Sequence, residues 1–169
     1  SVKHLKITLI LIIITSALFI YVDDVQASCQ IKSGCSYTEG RYCSVTNKQL
    51  TWISQFTKYT QVFTSAVTEW NNKKLVRISS GFDVKVKDYY EVSSFAGDTI
   101  TGQISFNTYV MDTYTPAQKK GTAMHELGHA LGLAHRDVNQ TQAIMSTFGP
   151  HTSAKITSLD MQSYNCLWK

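Results

Sequence analysis

The chain has 169 residues, of which 43% are hydrophobic and 17% charged, and its formal net charge is +4. This length fits one domain with a sizeable core, and the balance excludes a disordered or low-complexity chain. The mild positive excess favours anionic partners through long-range attraction without naming one. Because no basic run is interleaved with aromatic residues, nucleic-acid binding has no support.

The first residues are typical of a secretory leader. Lys3 and Lys6 precede an uncharged, apolar run over residues 7–22, and the small residue Ala27 follows. We therefore expect a signal peptide over residues 1–27 and a secreted, extracellular mature protein. A retained leader that tethers the protein to a membrane is the alternative, although the run is shorter than the roughly 20 residues that span a bilayer.

All four cysteines follow this leader: Cys29, Cys35, Cys43 and Cys166. An even number in an exported chain predicts two disulfides. Zinc binding by the thiols is the weaker interpretation, because the sequence has no CxxC pair. Three cysteines lie close together and one lies near the far terminus, so we expect Cys43 to pair with Cys166 and Cys29 with Cys35. Residues 28–47 would form a disulfide-bearing segment before a domain over residues 48–169.

Strands and helices alternate after this segment. β-branched and aromatic content or alternating polarity predicts strands over residues 50–54, 75–79, 82–88 and 103–107, with a weaker edge strand over 92–96. Ser80 and Gly81 indicate a turn between the second and third of these strands.

Helices are predicted between and after the strands. Apolar residues recur at helical spacing in the first of them: Phe63, Ala66, Val67 and Trp70. A capping sequence over residues 115–118, with a proline at the first helical position, begins a second helix. A last helix is expected from about residue 157 to residue 168. The order indicates an α+β fold in which a twisted mixed sheet packs on two long helices, with a third, C-terminal helix.

The second helix contains the sequence HELGHALGLAH, residues 125–135. In a helix, positions four apart lie on the same face, so His125 and His129 can bind one metal ion. Glu126 projects beside that ion, where a general base for a metal-bound water belongs. Gly132 can adopt the left-handed conformation that ends a helix and returns His135 toward the same ion.

Three neutral imidazoles leave a tetrahedral zinc ion with one open position, which is typical of a catalytic site. A single histidine is more often an ordinary surface or core residue, but the joint spacing of three histidines and a glutamate favours a zinc site. His151 is interpreted as a loop residue.

The motif HExxHxxGxxH followed by a methionine resembles the metzincin signature, with Met145 ten residues beyond His135. Over residues 48–168 the order of segments is similar to a matrixin catalytic domain of the bacterial type. The resemblance implies a metzincin fold, the three histidines as zinc ligands, Glu126 as the catalytic base and Met145 as the floor beneath the metal. It also implies that Asp160 ties down the last helix. Arg136 departs from the family, which usually has serine or threonine there.

The resemblance implies a secreted, zinc-dependent endopeptidase in which zinc activates a water molecule and Glu126 is the general base. We expect one catalytic Zn²⁺; Ca²⁺ is possible in the family, but no stretch identifies a site. Expected partners are protein or peptide substrates of a monomer, with no nucleic acid and no stable membrane association. The alternative is a secreted, zinc-containing binding or adhesion protein without proteolytic activity.

Overall fold

The structure is a computed structural model that describes residues 29–137, 142–147, 149–152 and 154–169. The expected signal peptide, residues 1–27, lies outside the described residues. In the described part of the chain, no helix is both long enough and apolar enough to cross a membrane.

In the residues that the structure describes, five strands form one mixed sheet. They are β1 (Gln49–Ser54), β2 (Arg77–Ser80), β3 (Val84–Tyr89), β4 (Gly97–Ile100) and β5 (Gln103–Asn107). Their order across the sheet is β2-β1-β3-β5-β4. The first four strands in this order run parallel, and β4 pairs antiparallel with β5 at the edge. The helical part of the HELGHALGLAH motif lies against this antiparallel edge, because α3 packs on β4.

Within the same described ranges, four helices accompany the sheet: α1 (Thr60–Asn71), α2 (Thr108–Met111), α3 (Pro116–Ala130) and α4 (Ser158–Trp168). The apolar face predicted for α1 is buried, and the predicted capping box at the start of α3 is present, with Thr115 and Gln118 bonded reciprocally. A second capping box, between Thr157 and Asp160, begins α4. The predictions for α1 and α3 are confirmed because each depends on residues within a few turns of one helix, whereas the capping box of α4 was not predicted.

The expectation of two long helices is wrong. α1 and α3 span 12 and 15 residues, which are ordinary lengths in globular proteins. The short helix α2 was not expected either. It begins at Asn107, whose side chain accepts a hydrogen bond from the backbone N–H of Tyr109. Such a cap satisfies a backbone donor at the start of the helix.

One sheet prediction also needs correction, and one connection is now explained. The strands on either side of the turn at residues 80–81 do not pair with each other, because β1 lies between β2 and β3 and runs parallel to both. The edge strand is Gly97–Ile100 rather than residues 92–96. The side chain of the buried Asn107 bonds to the backbone of Glu91 and Phe95, and so holds residues 91–95 as a loop.

All four cysteines form disulfides, but with a different pairing from the one expected. Cys29 pairs with Cys43 and Cys35 with Cys166, at Cα separations of 5.5 and 5.7 Å. Cys43 is fully buried, with its Sγ close to Gly132. The chain therefore folds so that Cys35, rather than Cys43, meets α4, and sequence spacing alone could not show this.

Candidate metal centre and its cleft

Three histidines of the motif meet at one point. The Nε2 atom of His125 lies 3.1 Å from that of His129 and 3.0 Å from that of His135, and the last two are 3.2 Å apart. Among the described residues, this group could hold a metal ion. The predicted ligands are therefore brought together in space.

The other ring nitrogens show which tautomer is present. Nδ1 of His125 lies 2.8 Å from the backbone carbonyl of Ile144, and Nδ1 of His129 lies 2.8 Å from that of Leu133. A carbonyl can only accept, so each Nδ1 carries the proton and each Nε2 presents a lone pair to the common point. This is the usual arrangement of metal-binding histidines, whose second nitrogen is fixed by an outer partner.

Burial keeps these imidazoles neutral. It lowers the pKa of His125 well below its usual value and that of His129 to about 4, and it also lowers the pKa of His135. For His125 the neighbouring His129 adds to the effect. Neutral imidazoles are the form that binds metals.

The donor set fits zinc. Nitrogens that bind one tetrahedral zinc ion at about 2.0–2.1 Å lie roughly 3.3 Å apart, close to the separations of 3.0–3.2 Å between these atoms. Three lone pairs held at that distance repel one another unless a cation lies between them.

Glu126 lies beside the three histidines. Its Oε2 accepts a hydrogen bond of 2.7 Å from the hydroxyl of Thr99 on β4. Burial raises the pKa of this carboxyl to about 7, while the bond from Thr99 opposes the rise and the charge of Asp98 adds to it. A Cβ atom on Gly97 would lie 3.0 Å from Oε1, so the glycine leaves room for the carboxylate.

Gly132 and Met145 both lie against the helix that presents His125 and His129. Gly132 has a φ of +86° directly after the last turn of α3, so the chain reverses there toward His135. Met145 is buried, and a Cβ on Gly128 would lie 2.3 Å from its Sδ. The sulfur therefore packs directly against the helix segment between His125 and His129.

The buried Asp160 ties α4 to the loop that contains Met145. Its carboxylate accepts hydrogen bonds from the backbone N–H groups of Ile144, Met145 and Thr157 at 2.8–3.1 Å. Ile144 also accepts the bond from Nδ1 of His125, so Asp160 is linked to this histidine through a single residue.

Arg136, directly after His135, is almost fully buried. It donates to the carbonyl of Leu159 and to the hydroxyl of Ser163 on α4, and its guanidinium lies over the ring of Tyr37. The departure from serine or threonine at this position therefore has a structural role here.

The histidines open into a cleft of about 640 Å³. His151 lines it, with its ring stacked on that of His125 at a centroid distance of 4.5 Å. Burial lowers the pKa of His151 to about 4. A Cβ on Gly121 would lie 2.2 Å from the His151 carbonyl oxygen, so the loop rests directly on α3.

Several lining residues were not found from the sequence. They include Glu39, Arg41, Tyr42, Thr99 and Tyr114. None belongs to a motif, and each reaches the cleft through contacts that are remote in sequence.

No family model matches the chain, and no curated protein matches it. Among the solved structures, it is similar to a chain of the structure described as "GM1 bound form of the ECX AB5 holotoxin", with 15% sequence identity and a TM-score of 0.50. The likeness covers 72% of this chain and 79% of that chain. At this identity it shows a shared fold alone.

These findings correct the expectations that the matrixin resemblance implied for family, function and partners. No comparison supports a metzincin or matrixin family, so that assignment is wrong, and the fold is described instead by its likeness to a chain of the holotoxin structure. The main functional expectation, a secreted zinc endopeptidase, is wrong together with that family assignment. The expected monomer with peptide substrates is corrected too, because the similar chain belongs to an assembly described in a GM1-bound form.

The two disulfides are compatible with a protein that is exported to an oxidising compartment.

Proposed function

We propose that the chain is a zinc-binding protein in which His125, His129 and His135 hold one ion. The convergence of three Nε2 atoms, two of which have their lone pair free because Nδ1 of the same ring bonds to a carbonyl, supports this, since their spacing matches a zinc ligand set. We also propose that the protein is secreted and works outside the cell, as its disulfides and the pattern of its first residues favour.

The arrangement best supports a zinc hydrolase, and the observation that carries this proposal is the position of Glu126. Zinc held by three imidazoles would supply Lewis acidity, which lowers the pKa of a coordinated water to about 7. Glu126 directly follows the first of the three histidines in the helix, and one of its oxygens is oriented by Thr99. A carboxylate held beside a metal-bound water can take its proton and later return it to the leaving group.

A second candidate is a secreted, zinc-containing binding protein without proteolytic activity. The shared fold with a chain of a holotoxin, described in a GM1-bound form, favours it. In this candidate zinc stabilises the segment around the three histidines, and the chain binds GM1 or assembles with other subunits.

One set of measurements separates the two candidates. Zinc content is measured by mass spectrometry, and hydrolysis is followed with a panel of fluorogenic esters and amides. For the hydrolase we expect about one zinc per chain, and Glu126→Gln should reduce the rate by about 100-fold or more while zinc is retained. Glu69→Gln is the matched control, because Glu69 forms a surface pair with Lys120 away from the cleft.

Equal rates for Glu126→Gln and the wild type contradict the hydrolase. Absence of hydrolysis, together with binding to GM1-containing vesicles but not to vesicles without GM1, supports the second candidate. A protein that contains no zinc after purification in zinc-containing buffer contradicts both.

A further inference from the structure

The segment before β1 forms one wall of the cleft. Glu39, Arg41 and Tyr42 line the cleft together with the histidines. The ring of Tyr42 meets that of His129 edge-on at a centroid distance of 5.8 Å. The segment is therefore part of the site and is not only a disulfide-bearing extension.

This wall is fixed to the end of α3. The backbone N–H of Ser44 donates to the carbonyl of Ala130, and that of Glu39 to the carbonyl of Gly132, both at 2.8 Å. A bridge between Thr38 and Leu133 continues the same pairing. These contacts lie on the stretch of chain that leads from His129 to His135.

A second set of hydrogen bonds fixes this wall to the turn between β4 and β5. The hydroxyl of Thr101 donates to the carbonyl of Arg41 at 2.6 Å, and the N–H of Gly102 donates to the hydroxyl of Ser44 at 3.0 Å. The two disulfides hold its ends. The backbone that presents Arg41 is therefore held from both sides.

The side chain of Arg41 is oriented rather than free to turn. Its Nε atom forms a 2.9 Å ion pair with Glu39, and its guanidinium lies 4.6 Å from the centroid of the Tyr42 ring. These contacts use Nε and one face of the group, and the side chain remains 69% exposed. Such an exposed ion pair contributes little to folding, so its position at the cleft points to recognition.

We propose that Arg41 forms a subsite for a carboxylate group on the ligand of the zinc centre. The terminal nitrogens of an arginine form a planar fork that matches a carboxylate with two parallel hydrogen bonds. Glu39 and Tyr42 hold this fork at the mouth of the cleft. The inference rests on the proposed zinc site but does not require hydrolysis.

The test uses hydroxamates as probes, because a hydroxamate binds zinc directly. Calorimetry on the zinc-loaded protein compares a series of hydroxamates of increasing chain length that end in a carboxylate with their neutral methyl esters. The wild type should prefer the carboxylate by about 3- to 10-fold at the chain length that reaches Arg41.

Arg41→Gln should abolish this preference while binding of the esters is unchanged, and Arg41→Lys should keep only part of it, since lysine lacks the fork. Arg77→Gln, which removes an exposed arginine on β2, is the matched control and should behave like the wild type. An equal preference in Arg41→Gln, or no preference in the wild type at any length, overturns the subsite. A protein without zinc overturns the proposed function and the subsite together, and the metal content identifies that case.

Discussion

Thr99 donates a hydrogen bond of 2.7 Å to Oε2 of Glu126, which joins the edge strand β4 to the helix that presents two of the three histidines. The same hydroxyl lies 3.1 Å from the backbone carbonyl of Glu126. The strand therefore fixes the direction of a carboxylate that is almost fully buried. Its burial has a measurable effect on stability.

Glu126→Gln should stabilise the metal-free protein at alkaline pH. Burial raises the pKa of this carboxyl from 4.5 to about 7. At pH values between these two numbers, the native state keeps a proton that the unfolded chain has already released. Wild-type stability therefore falls as pH rises through this window, and the neutral amide avoids the loss. In urea unfolding with chelator present, the variant should gain roughly 3 kcal/mol at pH 8 and almost nothing at pH 4. An equal difference at both pH values would contradict the assignment.

The sequence predicted that the three histidines of the site would meet, but it did not predict the residues that line the cleft around them. The spacing of His125 and His129 and the glycine at 132 act within one helix and its end, so local geometry brings the ligands together. Thr99 reaches Glu126 across 27 positions because β4 packs against α3. Arg41 depends on a segment whose disulfide to α4 spans 131 positions, and no local pattern records such contacts.

Gly97→Ala should impair hydrolysis without removing zinc. A Cβ at this position would lie 3.0 Å from both Cγ and Oε1 of Glu126, closer than ordinary contacts. Because β4 is held by its pairing with β5, the carboxylate must move instead. We expect a rate reduction of about tenfold or more with an unchanged zinc content. Loss of zinc from this variant would show that the glycine supports the ligands rather than Glu126.

Acid should release the metal only well below neutral pH. The pKa of His129 is about 4, and those of His125 and His135 are also lowered, chiefly by burial. Protons therefore compete with zinc only as the pH approaches about 4 and below. Zinc content after dialysis should stay near one per chain at pH 6 and at pH 5, and should fall only below about pH 4. Loss of zinc already at pH 6, where an ordinary imidazole takes up its proton, would contradict a site of three buried histidines with lowered pKa values.

Asp160→Asn should weaken both the fold and the metal site. The carboxylate accepts bonds from three backbone N–H groups and from the hydroxyl of Thr157. Asparagine replaces one of these acceptor oxygens with an NH2 group. That group is a hydrogen-bond donor and would face the donors that the carboxylate now accepts from. We expect a loss of about 2–4 kcal/mol in the free energy of unfolding, measured in urea with chelator present.

The same substitution should lower zinc affinity, because Ile144 accepts the Nδ1 bond of His125 and is itself held by Asp160. Loss of such an outer contact typically reduces metal affinity by about 10- to 100-fold. We would measure the affinity by competition with a chromogenic chelator, at a temperature where the variant is folded. Ser158→Ala is the control, because Ser158 lies in the same first turn of α4. If Asp160→Asn lowered stability but left zinc affinity equal to that of the control, Asp160 would only cap the helix, and the link through Ile144 to His125 would be refuted.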